Sequence, residues 1–223
     1  MKKILTVAII LALIMSIAIC ENNNTVTVIV TKGSDILCFG NVDVTDIDED
    51  GVLTINDVLS IAHSEYYEAG TDGYASYQSD YGLSLGLLWG IDNGGAYSYY
   101  INNMSPMDLS AEVVGGDVIH AFIYEDTMAW SDTYCWFNET ELTVNAGETV
   151  TLTLSSMGYD EAWNVVVSPL QGVMFMLDGV ETGIVSGEDG SITFTAPGAG
   201  EYLLTAVSDS FILCAPACKL IVK

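Results

Sequence analysis

The sequence is poor in positive charge. It contains no arginine, and its Lys+Arg total of 5 stands against 30 Asp+Glu, giving a formal net charge of −25 at pH 7. A nucleic-acid-binding protein neutralises each phosphate it contacts with lysine or arginine, and attraction to anionic lipid headgroups needs the same residues. The composition therefore argues against partners of both kinds.

Histidine is equally scarce. The 2 histidines are His63 and His120, which leaves little material for imidazole catalysis or a multi-histidine metal site. We expect His63 on the exposed side of a helix, and His120 in a strand with a nearby Asp as its hydrogen-bond partner. The segment Gly82-Leu-Ser84-Leu-Gly86 has G-x-S-x-G spacing but lacks the parallel α/β context of a nucleophile elbow. We therefore predict no enzyme, and a hydrolase is the least favoured function.

The N-terminus has the pattern of an export signal. Lys2 and Lys3 precede an apolar run over residues 4–17, which predicts a signal peptide at residues 1–20, with an uncleaved anchor as the alternative. Cys20 raises the possibility of a lipoprotein, although Ile19 stands where that processing prefers a small residue. We expect a secreted or cell-surface protein whose mature chain has no transmembrane span.

Four cysteines follow the predicted signal peptide, namely Cys38, Cys135, Cys214 and Cys218. In an oxidising compartment they allow three pairings. Their spacing favours Cys38–Cys135 and Cys214–Cys218. The alternative is free buried thiols, which an organism living without oxygen would permit.

The most specific motif lies at residues 46–57. Three aspartates alternate with other residues, and Gly51 follows them and permits a sharp turn. The oxygen ligands this order provides are those that calcium prefers. The predicted ligands are Asp46, Asp48, Asp50, the carbonyl of Val52, Thr54 through a water, and Asp57. We predict one structural calcium ion; the alternative is a solvated acidic turn with a helix N-cap at Thr54 or Asn56.

Hydrophobic periodicity predicts a mostly β fold in two domains. Thr alternates with Val or Ile over residues 25–31, and residues 55–67 carry helical spacing with Val58, Leu59, Ala62 and Tyr66 on one face. Short strands separated by glycine-rich turns follow from about residue 138, which is typical of an immunoglobulin-like sandwich. The predicted domains are an α+β, β-grasp-like domain at 25–137 and an all-β sandwich at 138–223.

Residues 25–137 resemble the bacterial transcobalamin-like C-terminal family. The matching segments are TVTVIVTKG, YGLSLGLLWGI, YSYYINN and VVGGDVIHAFIYED. The resemblance implies an extracellular β-grasp module that binds a small molecule or a partner, because animal relatives contact cobalamin. The segment DIDEDGVLTINDVLSIAH resembles one half of a dockerin. A dockerin needs two such loops, and the sequence offers one, so we do not predict cohesin binding.

These features together predict a monomeric, non-enzymatic binding or adhesion module that calcium stabilises and that meets an unknown protein or small molecule outside the cell. The alternative is a corrinoid-type small-ligand protein that uses the aromatic end of the first domain. Aromatic residues at this density are also typical of cores and interfaces. The candidate ligand residues are Trp89, Tyr97, Tyr99, Tyr100, Asn102 and Tyr124.

Overall fold

A computed structural model describes residues 24–223, so the predicted signal peptide and Cys20 lie outside the described residues. The chain is mostly β, as predicted. The first part of it consists of β1 (Thr25–Lys32), β2 (Asp35–Asp43), α1 (Ile55–Tyr66), a 3₁₀ helix (Gly70–Gly73), β3 (Ala75–Ser79), β4 (Gly82–Leu87), β5 (Tyr97–Ile101) and β6 (Val118–Ile123).

The second part of the described chain contains strands alone. These are β7 (Thr133–Phe137), β8 (Glu141–Val144), β9 (Thr149–Tyr159), β10 (Val165–Pro169), β11 (Met174–Leu177), β12 (Val180–Val185), β13 (Ser191–Thr195), β14 (Gly200–Val207), β15 (Leu213–Cys214) and β16 (Cys218–Val222). No helix in the described part of the chain has the length and apolar character that crossing a membrane requires.

The first domain is built on a four-stranded mixed sheet in the order β2-β1-β6-β5. Its central strands β1 and β6 are parallel, and the outer strands pair with them in the antiparallel sense. A parallel pair needs a long crossover, and here that crossover contains α1. This β-grasp-like arrangement agrees with the predicted fold class.

The two faces of this sheet are covered differently. Side chains alternate between faces along each strand, and one face presents aliphatic residues such as Val28 and Ile119, which pack with α1 in the first core. The opposite face presents Tyr100 and Phe122, which pack against Tyr134 of β7 in a separate cluster. The first face therefore encloses the domain's own core, and the second face meets the next domain.

The second domain is a sandwich of two sheets. One sheet has the order β12-β11-β14-β16-β8, and the other has the order β10-β9-β7-β15, with β13 also paired to β9. Strand β8 runs parallel to β16, whereas most other neighbours are antiparallel. Apolar residues of both sheets, such as Leu152, Phe175 and Leu204, fill the space between them. The arrangement is the predicted immunoglobulin-like sandwich.

The change from one sheet system to the other occurs before residue 138. Strand β7, which the sequence-based boundary assigns to the first domain, pairs with β9 through Cys135↔Ser156 and with β15 through Leu213↔Thr133. The link between β6 and β7, residues 124–132, therefore carries the transition.

Candidate functional site: the acidic loop and the domain junction

The loop between β2 and α1 brings three of the predicted calcium ligands together. One carboxylate oxygen from each of Asp46, Asp48 and Asp50 lies within 4.8 Å of the others. Asp48 and Asp50 are exposed, and Asp46 is partly exposed. These carboxylates thus form an accessible cluster of hard oxygen donors, the ligand type that calcium takes.

Backbone N–H groups of the same loop hold the first and third carboxylates in place. Asp46 accepts hydrogen bonds from Asp50 N at 3.2 Å and Gly51 N at 2.7 Å, and Asp50 accepts one from Val52 N at 2.8 Å. Gly51 has φ +91°, a conformation that disfavours side chains. The hydrogen bond from Gly51 is the main reason that the pKa of Asp46 is lowered.

The carboxylate of Asp48, the middle aspartate of the three, differs from that of Asp46 in the direction of its pKa shift. The pKa of Asp48 is raised, first by the loss of some of the water around its carboxylate and then by the charge of Asp50, with the charge of Asp57 adding to it. Negative groups that repel one another at short range favour a bound cation, which would relieve the repulsion.

The last two predicted ligands serve the start of α1. Asp57 N donates to Thr54 Oγ1 at 3.3 Å, and the Asp57 carboxylate accepts from Thr54 N at 2.8 Å, so the pair forms a capping box. Asp57 also accepts from Ile47 N at 3.1 Å, which ties the helix start to the loop. Of the two N-caps that the alternative interpretation offered, Thr54 rather than Asn56 is the cap, and neither Thr54 nor Asp57 belongs to the carboxylate cluster. Val52 is exposed, and its carbonyl role stays a prediction.

The end of the loop is fixed by a distant segment. Val113 N donates to Leu53 O at 2.8 Å, and Ile55 N donates to Ala111 O at 3.1 Å. Leu53 packs against the first core. A change in the loop is therefore coupled to the helix and to residues 109–113.

The six residues predicted to bind a small ligand at the aromatic end of the first domain do not share one surface. Tyr97 and Tyr99 of β5 pack on the aliphatic side of the sheet, whereas Tyr100 lies on the opposite side, stacked on Tyr134 at 4.0 Å between ring centroids. Tyr97 is 8% exposed, and its hydroxyl donates to Ile91 O at 2.8 Å. Tyr124 joins the Tyr100 cluster.

The remaining two candidates also have structural partners. Trp89 packs on His63 with ring centroids 4.6 Å apart. Asn102 Oδ1 accepts from Val118 N at 2.9 Å, and its Nδ2 donates to Asp117 at 2.7 Å. Most of the set thus supports the cores and turns of the fold rather than a single open platform.

The expectation that His63 is exposed is wrong. His63 is fully buried; its Nδ1 bonds Leu59 O at 2.6 Å, and its Nε2 accepts from Trp89 N at 2.8 Å. Burial lowers its pKa. His63 follows Leu59 by four residues, so helical spacing places both on the same buried face.

The expectation that an Asp is the hydrogen-bond partner of His120 is also wrong. His120 Nε2 instead pairs with Thr31 Oγ1 at 3.1 Å, and the imidazole lies edge-on to Tyr134 with ring centroids 5.1 Å apart. Complete burial lowers the pKa of His120 to about 3, so the ring is neutral at pH 7. Both histidines are therefore structural groups in the described chain.

The predicted disulfides are not formed. All four described cysteines are buried free thiols. Cys38 belongs to the first core, and Cys135 to the sandwich core, so that pair is separated by the fold. Burial raises the pKa of Cys38 and of Cys218 to about 12. The structure therefore has the alternative arrangement, buried protonated thiols.

The G-x-S-x-G segment forms β4 of a two-stranded hairpin rather than a strand-to-helix elbow. Ser84 Oγ lies 3.0 Å from Ser79 Oγ. The ring nitrogens of His63 bond Leu59 and Trp89, and Nε2 of His120 bonds Thr31. None of these hydrogen bonds goes to Ser84.

Two features near the domain junction were missed from sequence. A cleft of about 570 Å³ lies between the outer face of β1–β2 and the sandwich, lined by residues that include Phe39, Asn41, Tyr202 and Lys219. Trp163 is 81% exposed at the turn between β9 and β10. A tryptophan flanked by Asp, Glu and Asn in a turn is the signal that could have identified the second feature.

Comparisons with known proteins leave the family open. No family model matches the chain, and no curated protein matches it. Among solved structures, the N-terminal four Ig domains of Dscam1 isoform 9.44 align with a TM-score of 0.27 and 12% identity, covering 89% of this chain and 43% of that chain. Dscam1 isoform 4.44 aligns with a TM-score of 0.27 and 11% identity over the same shares.

The chain thus spans less than half the length of these structures. At such scores the likeness establishes neither relationship nor function. The resemblance to the transcobalamin-like family stays a prediction.

Proposed function

We propose that the protein is a secreted or cell-surface, non-enzymatic binding module whose first domain is stabilised by one calcium ion. The observation that carries the calcium assignment is the convergence of Asp46, Asp48 and Asp50 within 4.8 Å. Their oxygens suit a hard divalent cation, which takes six to eight oxygen ligands with water completing the shell.

The role of the ion follows from where the loop leads. The loop runs directly into the capping box of α1, and α1 covers the aliphatic face of the first sheet. A cation that binds the folded loop but not the unfolded chain shifts the folding equilibrium toward the folded state. Calcium would therefore stabilise the first domain without taking part in chemistry.

A binding role, rather than catalysis, is supported by the chemistry of the candidate groups. The buried histidines are neutral and engaged in structural hydrogen bonds. The cysteine thiols are buried with raised pKa values. The corrinoid alternative stays a prediction, because its aromatic residues mostly pack within the fold.

Calorimetric titration of the full chain with CaCl₂ tests the assignment. We expect about one ion bound per chain, with affinity lowered at least tenfold in Asp48→Asn. Asp72→Asn, an exposed aspartate of the 3₁₀ helix outside the loop, is the matched control and should titrate like the parent. Absence of binding, or equal binding in both variants, would contradict the calcium assignment.

A further inference from the structure

Two exposed tryptophans lie in loops next to residues that contact the domain junction, since Tyr124 and Met157 both pack on the Tyr100–Phe122–Tyr134 cluster. Trp130, between β6 and β7, is 55% exposed, and Trp163, between β9 and β10, is 81% exposed. Both have positive φ, +54° and +65° respectively. Bulky residues rarely adopt this conformation, so the hydrogen bonds of each loop must hold its tryptophan there.

An aspartate fixes the first of these loops. The Asp126 carboxylate accepts from Ala129 N at 2.9 Å and from Ser131 Oγ at 2.6 Å, and these bonds help lower its pKa. Trp130 N donates to Asp126 O at 2.9 Å, and its indole Nε1 donates to Thr127 O at 3.0 Å. The indole is therefore held in a defined orientation although it is exposed.

The second loop has the same construction. The Asp160 carboxylate accepts from Asn164 N at 2.8 Å, Asn164 Nδ2 at 2.9 Å and Ala162 N at 2.8 Å. Trp163 N donates to Asp160 O at 3.0 Å. Two loops distant in sequence thus present a tryptophan at positive φ from an aspartate-bonded turn.

Each of the two tryptophans contacts a tyrosine. Trp130 stacks on Tyr124, with ring centroids 5.4 Å apart and 30° between the ring planes, and Trp163 contacts Tyr159, with centroids 6.2 Å apart. Burial raises the pKa of Tyr124, and the phenol of Tyr159 is near enough to add to that rise. We call these four residues the aromatic surface. It is continuous with the junction cluster, because Tyr124 packs on Phe122.

The charge of the molecule restricts what this surface can bind. With a net charge of −25 and no arginine, the protein repels polyanions. Flat aromatic faces suit the C–H faces of sugar rings, and exposed carboxylates accept hydrogen bonds from sugar hydroxyls. Glu125 and Glu161 are exposed beside the two loops. Tyr159 is 54% exposed and Trp163 is 81% exposed, so their polar edges are accessible to such a ligand.

We propose that the aromatic surface formed by Tyr124, Trp130, Tyr159 and Trp163 binds an uncharged polysaccharide. The inference rests on the proposed binding function and names the class of ligand. Rigid rings on two loops bind with little loss of conformational freedom, and several stacked sugar units would use both tryptophans in one contact.

Affinity electrophoresis of the full chain in native gels tests the proposal. The gels contain a neutral glucan, mannan, xylan or galactan, with polygalacturonate as the anionic comparison. We expect retardation by at least one neutral polysaccharide and none by polygalacturonate. Trp130→Asn and Trp163→Asn should each weaken the retardation at least tenfold, because each removes one stacking ring.

Asparagine is chosen because it tolerates positive φ, so both variants should stay folded. Tyr81→Ala is the matched control, since Tyr81 is 89% exposed in the β3–β4 turn and lies apart from the aromatic surface. It should be retarded like the parent. Failure of every neutral polysaccharide, or equal retardation of parent and tryptophan variants, overturns the proposal. Capture of a protein ligand alone, with no neutral polysaccharide retained, also overturns it.

The outcome is separable from that of calcium binding. The same gels are run with CaCl₂ and with chelator, and Asp48→Asn is included. Retardation that depends on the tryptophans in a chain that does not titrate calcium would support the polysaccharide and contradict the calcium assignment. Calcium binding without retardation would support the calcium assignment and contradict the polysaccharide proposal.

Discussion

The two faces of the first sheet differ in what covers them. One face is aliphatic and lies under α1, whose N-terminal cap adjoins the acidic loop. The other is aromatic and meets the sandwich through Tyr100, Phe122 and Tyr134. The proposed calcium loop belongs to the first side, whereas the domain contact and the proposed aromatic surface belong to the second. The sheet thus lies between the acidic loop that we propose to be structural and the surface that we propose to bind a ligand.

The largest expected effect is in the aliphatic core. Leu59 of α1 is fully buried, and Leu59→Ala should lower the free energy of unfolding by about 2–5 kcal/mol through lost burial and a new cavity. Urea unfolding followed by circular dichroism measures it. Ile61→Ala, on the same helix but only partly buried, should cost less. Equal losses in the two variants would show that α1 does not cover the sheet as described.

The second prediction concerns the aromatic face of the first sheet and the pH dependence of its stability. His120 is buried with its pKa lowered from 6.5 to about 3, so the unfolded chain binds the proton first as pH falls. The free energy of unfolding that the neutral His120 contributes is fully present above pH 6.5. It is lost as the pH falls toward 3, by at most about 1.4 kcal/mol per pH unit. His120→Gln keeps a partner for Thr31 but does not titrate.

Urea unfolding of parent and His120→Gln from pH 7 to pH 4 measures this difference. The variant should gain stability relative to the parent as pH falls. His63, which shifts in the same direction, is present in both proteins, so its contribution cancels. A difference that is constant with pH would contradict a buried neutral His120.

A smaller effect is expected from one hydrogen bond at the domain contact. Tyr134 donates to Asn103 Oδ1 at 2.8 Å. Tyr134→Phe keeps the stacked ring and removes this bond, and should cost about 1 kcal/mol in thermal or urea unfolding. Tyr81→Phe, whose hydroxyl is exposed, should cost nothing measurable. If Tyr134→Phe leaves the free energy of unfolding unchanged, the stacked rings alone hold the domains together.

Local patterns predicted much of this fold. Alternation predicted β1, helical spacing predicted α1, and turn residues separated the sandwich strands. The acidic loop and its cap at Thr54 followed from residue order over a short segment. In each case the residues that decide the structure are neighbours in sequence.

Long-range contacts explain what the sequence did not predict. Thr31 meets His120 across the parallel β1–β6 pair, and Cys38 and Cys135 enter different cores because β7 pairs with the sandwich. The proposed aromatic surface draws on two separate loops, one that holds Trp130 and one that holds Trp163. Contacts between residues so far apart in sequence depend on how the strands pair, which local patterns do not show.

Thermal unfolding in CaCl₂ and in chelator tests the central claim most directly. At a calcium concentration 100 times the dissociation constant, we expect a rise in the unfolding temperature of the first domain of roughly 10 °C. The rise should be absent in Asp48→Asn and retained in Asp72→Asn. An unfolding temperature that is identical in calcium and in chelator for the parent protein would contradict the account of the loop as a calcium site.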